Sequence, residues 1–256
     1  MADSVHVTKT QLDALHKPGC LARHQKRDSG NPCSHQWQAV EQAEAHAGVY
    51  NYPTYQELCR ESTGGSYFRP SATTGLRRRP APGEWDVGRG DNFQHFRVPY
   101  WHNAHHIIPN GVLRSGIAKA GKGDSRLPNL IKYALLKAEY NLNDKENMVI
   151  LPMQSIVAKA IALPRHLKGD EVGPGETPEI FSHPDYSTRV ETKLVPILNK
   201  YKKVIAKALE KKHPELPGPI SRSALEQLSM EIYSAIISHG SAADFNGSSL
   251  ADVDLS

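Results

Sequence analysis

The sequence predicts an α+β fold that is mainly helical, and three observations carry that reading. Four stretches repeat their apolar residues at helical spacing. The apolar runs short enough to be strands are few, and they cluster in the middle of the chain. Proline and glycine punctuate the boundaries rather than the interiors of most of these segments.

The first helix is expected over about Gln36 to His46, where Trp37, Val40, Ala43 and Ala47 recur. Residues 69–92 break any periodicity with prolines, glycines and the triplet Arg77-Arg78-Arg79, and read as an exposed loop. Phe96–Tyr100 and His105–Ile108 look like short strands. A helix fits Leu130–Tyr140, with Leu130, Ala134, Leu135 and Ala138 on one face. Met148-Val149-Ile150-Leu151, closed by Pro152, reads as a buried strand. A long helix should begin near Pro184, since proline's missing N–H costs nothing in the first turn. Its stripe runs Val190, Leu194, Ile197, Tyr201, Val204, Ile205 and Ala208, with Pro196 expected to kink it. A last helix starts at Ser223, which forms a capping-box pattern with Glu226, and stops at Gly240. Residues 241–256 are small, polar and acidic, and their composition predicts a disordered tail.

Composition excludes several classes. The chain of 256 residues has a mean hydropathy of −0.52, and no apolar run approaches the roughly 20 residues that span a bilayer. No basic stretch leads into an apolar run at Met1, so no secretory signal peptide is expected. Three cysteines, Cys20, Cys33 and Cys59, are too few and too odd in number for a disulfide framework. The charge is unevenly spread. From Tyr186 to Lys212 eight basic residues face two acidic ones, a local balance of +6 that suits a polyanion as well as a solvated helix face.

The chemistry concentrates at His105-His106. Adjacent side chains of a strand point to opposite faces, so two neighbouring histidines can do two different jobs. One can bind a metal while the other, neutral near pH 7, takes a proton from water. Phosphodiester hydrolysis needs both an activated water and a cation that offsets charge on the phosphate. Downstream come Asn147 at the entrance of the apolar strand, His166 in Leu163-Pro164-Arg165-His166, and His183 in His183-Pro184-Asp185-Tyr186. His-Glu-x-x-His is absent, which disfavours a metalloprotease. Cys20, His24, Cys33 and His35 form a Cys-x3-His…Cys-x-His series that could hold structural zinc.

The order His-His, Asn, His, His resembles the His-Asn-His (ββα-metal) nuclease superfamily. Ala104-His105-His106-Ile107-Ile108-Pro109, Asn143-Asp144 with Asn147 and Leu151-Pro152, and His183-Pro184-Asp185-Tyr186 with Val190 are similar to the AHH family of toxin nucleases within it. The resemblance covers roughly residues 100–200. It implies a small β-hairpin and helix around one divalent ion (Zn²⁺, Ni²⁺, Mn²⁺ or Mg²⁺), embedded in a helical domain. It implies His105 and His183 as metal ligands, His106 as general base, and Asn147 holding the hairpin and orienting His106. The third ligand is His166 or Glu179, with His166 favoured because imidazole fits the set and because Leu-Pro-Arg-His reads as structured. Forty residues between His106 and Asn147 exceed a hairpin turn, so a helical insertion is expected there. Arg165, Lys193 and Lys200 are candidates for phosphate contacts.

The domain organisation that follows is an N-terminal region over 1–92, serving delivery, adaptor binding or an extra helical subdomain. A nuclease domain spans 93–240, and the tail 241–256. The implied activity is endonucleolytic hydrolysis of DNA by an antibacterial toxin with an immunity protein and a secretion-system component as partners. Such a protein is made in the bacterial cytoplasm and exported without a signal peptide. The rival readings are a ribonuclease on the same scaffold and a non-catalytic, zinc-stabilised nucleic-acid-binding protein.

Overall fold

The computed structural model describes residues 18–24, 28–50, 85–89, 92–96, 98–167, 183–210 and 220–256. Cys59, Arg77–Arg79, Glu179, Lys211 and Lys212 lie outside the described residues. Among the described residues, six helices surround one antiparallel pair of strands: α1 (His35–Ala45), β1 (His102–His106), α2 (Asn110–Ala120), α3 (Leu127–Lys137), β2 (Met148–Pro152), α4 (Ser155–Ile161), α5 (Pro184–Glu210) and α6 (Ser223–Gly240). The mainly helical α+β architecture stands as read from the sequence.

The register of the hairpin pairs His106 with Met148, His105 with Val149 and Ala104 with Ile150. β2 is buried throughout, which explains its unbroken apolar run. The expected strand at Phe96–Tyr100 is not formed by the described residues of that stretch: Phe96 lies in a turn and Val98–Tyr100 in bends, and Pro99 has no N–H to give a ladder. β1 also starts three residues earlier than expected and stops at His106 rather than Ile108. The insertion between the strands is the helix pair α2 and α3. α2 packs on α5, where Gly116 admits the Leu198 side chain: a Cβ there would lie 2.7 Å from it.

α5 starts at Pro184, as its proline predicts, and continues through Pro196, whose exposed position leaves the freed carbonyl to solvent. The capping box expected at Ser223 is not made: Glu226 pairs with Arg222 at 2.9 Å instead, and Arg222 is the N-cap. Gly240 does end α6, but its glycine answers a packing demand. A Cβ there would sit 2.0 Å from the Ala162 carbonyl oxygen, so α6 can meet the end of α4 only through glycine.

The expectation about the C-terminal end of the sequence changes. Residues 241–256 are not a disordered tail: Leu250, Ala251, Val253 and Leu255 are buried, and a short 3₁₀ turn over Leu250–Asp252 is closed by a Ser249–Asp252 capping box. Its acidic residues mislead because the apolar residues between them reach the core. Arg189 of α5 donates to the carbonyls of Val253 at 2.5 Å and Ala251 at 2.7 Å. At the other end, α1 packs on β2, and the Tyr50 hydroxyl donates to the Ile150 carbonyl at 3.1 Å. The described part of residues 18–50 therefore shares its core with the hairpin.

Candidate metal and hydrolytic site

The alternation of β1 sends its two histidines apart. His105 meets His166 and His183: one nitrogen of each lies within 4.8 Å of the others, and His105 Nδ1 stands 3.1 Å from His166 Nε2. Two nitrogens bound at tetrahedral angles to one Zn²⁺ would stand about 3.3 Å apart, from Zn–N bonds of about 2.05 Å. His166 arrives from the segment after α4. Its N–H donates to the Pro152 carbonyl at 2.8 Å. The preceding Arg165 forms a parallel bridge to Ser249, with Arg165 N–H to Ser248 O and Leu250 N–H to Arg165 O both at 2.9 Å. The C-terminal segment thus holds a site histidine in place. His183 immediately precedes α5, and its Nδ1 faces the Ser187 hydroxyl at 3.2 Å, which leaves Nε2 for the cluster. Tyr186 anchors that turn by donating to the Ile107 carbonyl at 2.6 Å.

All three rings are held neutral. Burial, then the neighbouring His183 and His166, push His105 well below the usual histidine range. Burial brings His166 down to about 3 and also lowers His183. The cluster presents lone pairs rather than charge, and His105 Nε2 and His166 Nδ1 are buried without a hydrogen-bond partner. Three neutral imidazoles converging on one point is a donor set that fits a divalent cation. His166 stands in the cluster, while Glu179 lies outside the described residues.

His106 turns the other way. Its Nε2 lies 2.9 Å from Asn143 Oδ1. The Asn143 amide is fixed in its orientation because its Nδ2 donates to the Ala22 carbonyl at 2.8 Å. Oδ1 therefore faces the ring and accepts, Nε2 carries the hydrogen, and Nδ1 keeps the lone pair. Burial holds the ring down at about 4, against the opposing effect of the Asn143 hydrogen bond. The His35 ring stacks on it with centroids 5.5 Å apart.

This arrangement corrects the role expected for Asn147. It does hold the hairpin, accepting from Ile108 N–H at 2.8 Å and from the Ser229 hydroxyl at 2.9 Å. Its amide donates to the Leu142 carbonyl at 2.8 Å. It extends the β1–β2 pairing past the last ladder bond and ties it to α6, but His106 is oriented by Asn143. A polar residue in an Asn-Asp pair before a strand reads as turn chemistry, so spacing alone does not mark Asn143.

A cavity of about 400 Å³ opens over these groups, lined by His105, His106, His166 and His183, by Arg23, and by Pro109, Asn110 and Gly111 at the start of α2. Arg165, Lys193 and Lys200 are not among its lining residues. At 1.5 Å rise per residue, Lys193 and Lys200 lie about 15 and 25 Å along α5 from His183. Arg23 is the arginine at this cavity, and no motif in the sequence singled it out. Near it, Cys20, His24 and Cys33 place one ligand atom each within 4.8 Å of one another. His35 does not join them; its Nδ1 donates to the His24 carbonyl.

A two-stranded hairpin carrying a His pair, closed by a helix that brings a further histidine, defines a ββα-type nuclease. The chain belongs to the AHH family, a nuclease family of the HNH/ENDO VII superfamily with conserved AHH, whose model matches residues 88–232. No curated protein and no solved structure matches the chain. Among the described residues no helix is long and apolar enough to cross a membrane.

Proposed function

We propose that the protein is a metal-dependent endonuclease in which His105, His166 and His183 hold one divalent ion and His106 is the general base. The carrying observation is the meeting of three neutral imidazoles beside a fourth whose tautomer is fixed by Asn143. An ion bound there supplies positive charge for the scissile phosphate and the departing oxygen. His106 Nδ1 takes the proton of the attacking water, and burial keeps that nitrogen free of a proton at neutral pH. An all-imidazole donor set favours Zn²⁺, Ni²⁺ or Mn²⁺ over Mg²⁺, which prefers oxygen.

Phosphate placement falls to Arg23 and the start of α2. That helix has Pro109 as its N-cap and no side-chain cap bond, so its first N–H groups and the positive end of its dipole stand at the cavity. Such contacts carry no sequence information, which suits a nuclease of broad specificity.

DNA is the proposed substrate, with an antibacterial effector role, a cognate immunity protein and a secretion-system component as partners. These rest on the resemblance to toxin nucleases, and delivery or adaptor binding is assigned to the remainder of residues 1–92. The test is incubation of one preparation with supercoiled plasmid and with total RNA, under Mn²⁺, Ni²⁺, Zn²⁺ or Mg²⁺ and with a chelator. Nicked and linear plasmid, abolished by chelation, is the expected outcome. Degradation of RNA alone would move the substrate to RNA, and no cleavage under any metal would overturn the reading.

A further inference from the structure

A second group of metal-ligating side chains stands outside the histidine cluster and takes no part in the chemistry above. We infer that Cys20, His24 and Cys33 form a zinc site of their own, which pins these three residues together against Asn143, the residue that orients His106. The site stands independently of the nuclease reading; its consequence for His106 rests on that reading.

Cys20 Sγ and His24 Nε2 are 3.3 Å apart, and Cys33 completes a set whose ligand atoms all lie within 4.8 Å. Sulfur and nitrogen bound at tetrahedral angles to one Zn²⁺ stand about 3.5 Å apart, given Zn–S and Zn–N bonds of about 2.3 and 2.05 Å. The backbone holds these positions without help from an ion. Cys20 is fully buried, its N–H donating to Tyr140 O at 3.0 Å and its carbonyl accepting from Leu142 N–H at 2.7 Å. Cys33 is brought alongside by the turn over Asp28–Ser34, where its N–H donates to Asn31 Oδ1 at 2.9 Å, and by the parallel bridge between His24 and Ser34. Two thiolates and one imidazole select zinc over the harder ions, with water in the fourth position.

The surroundings suit a metal-bound thiolate. Asn143 Nδ2 lies 3.4 Å from Cys20 Sγ, so an amide N–H is aimed at the sulfur, as outer donors commonly are around bound thiolates. The same amide group accepts from His106 through Oδ1. One asparagine thus connects the sulfur of this site to the ring of the proposed base. Zinc here would fix Asn143 against a buttress that is covalently continuous with Arg23.

The experiment uses Co²⁺ as a spectroscopic stand-in for zinc, on the full chain carrying Cys59→Ser and His183→Ala. Those changes leave Cys20 and Cys33 as the only thiols and weaken the histidine cluster. The expected result is one equivalent of Co²⁺ giving a near-ultraviolet thiolate-to-cobalt charge-transfer band, displaced by Zn²⁺ and lost in Cys33→Ser. Since imidazole ligands give no such band, the outcome is separable from cleavage failing. Absence of the band, or its persistence in Cys33→Ser, would overturn the site. Should Cys33→Ser not fold, alkylation of the Cys59→Ser protein decides. Zinc should shield the half-buried Cys33 thiol and a chelator should expose it, whereas equal reactivity of Cys33 with and without zinc, or a Cys20–Cys33 disulfide in protein purified under reductant, would overturn it.

Discussion

His105 and His106 are neighbours in one strand, yet their surroundings differ in kind. His105 sits among two other imidazoles, and the remote nitrogen of its ring has no hydrogen-bond partner. His106 has an amide oxygen on Nε2, an imidazole stacked on its face and an open cavity beside it. A ring that shares a metal is positioned by the metal and its fellow ligands, whereas a ring that moves a proton needs one defined tautomer. The pleat separates the two tasks by a single residue.

The largest effects should come from breaking one side at a time. His106→Ala should lower the cleavage rate by roughly 10²–10⁴-fold, the range for a lost general base, with metal affinity unchanged. His105→Ala should abolish metal binding at the histidine cluster and cleavage together, as calorimetric titration beside plasmid assays would report.

Removing the support of the base should cost less. Asn143→Ala should reduce kcat on the order of ten- to a hundredfold, as loss of an orienting partner does, with little change in KM. Asn147→Ala, by contrast, should act on stability: it leaves Ile108 N–H and Ser229 without their acceptor, about 1–3 kcal/mol for a buried group unmet. Thermal melts set against kcat would tell the two asparagines apart.

On the other side of the strand, deleting residues 248–256 removes the bridge that holds Arg165 and, through it, His166. Metal affinity should fall by about tenfold or more, within the range for lost outer support, and melting should come earlier. The His106 tautomer should be untouched.

Acidification tests both sides together. The folded pKa of His106 is about 4 and that of His166 about 3, both below the ordinary value of 6.5. Below pH 6.5 the unfolded chain therefore takes up protons that the folded chain refuses, so stability falls on acidification from 6.5 through 4. The melting temperature of chelator-treated protein should drop between pH 7 and pH 5, and added Ni²⁺ should reduce the drop. The smallest effect is expected of Arg23→Ala, an exposed cation at the cavity mouth: a severalfold higher KM at low salt, fading as salt screens the contact.

Much of this division was readable beforehand because it depends on short-range rules. The β2 strand announces itself as an apolar run, α5 by its Pro184 start, and the pleat dictates opposite faces for His105 and His106. His166 was legible only as a residue type in a motif order. Its place depends on the tail crossing back to residue 165, a contact between segments more than eighty residues apart that no local pattern encodes. Asn143 stands in the family motif without a role, and Arg23 in no motif: one looks like turn chemistry, and the other is a lone arginine until the N-terminal segment is folded onto the hairpin. The tail was misjudged because acidic composition outweighs a few apolar residues in any average, while burial counts only the apolar ones.

The most direct test pairs Ni²⁺ titration with plasmid cleavage on wild type, His106→Ala and His105→Ala, each shown to be folded. His106→Ala should bind as many equivalents as wild type and cut at least about a hundredfold more slowly, while His105→Ala should bind one equivalent fewer and not cut. Cleavage by His106→Ala at the wild-type rate, or undiminished binding by His105→Ala, would contradict this division of roles.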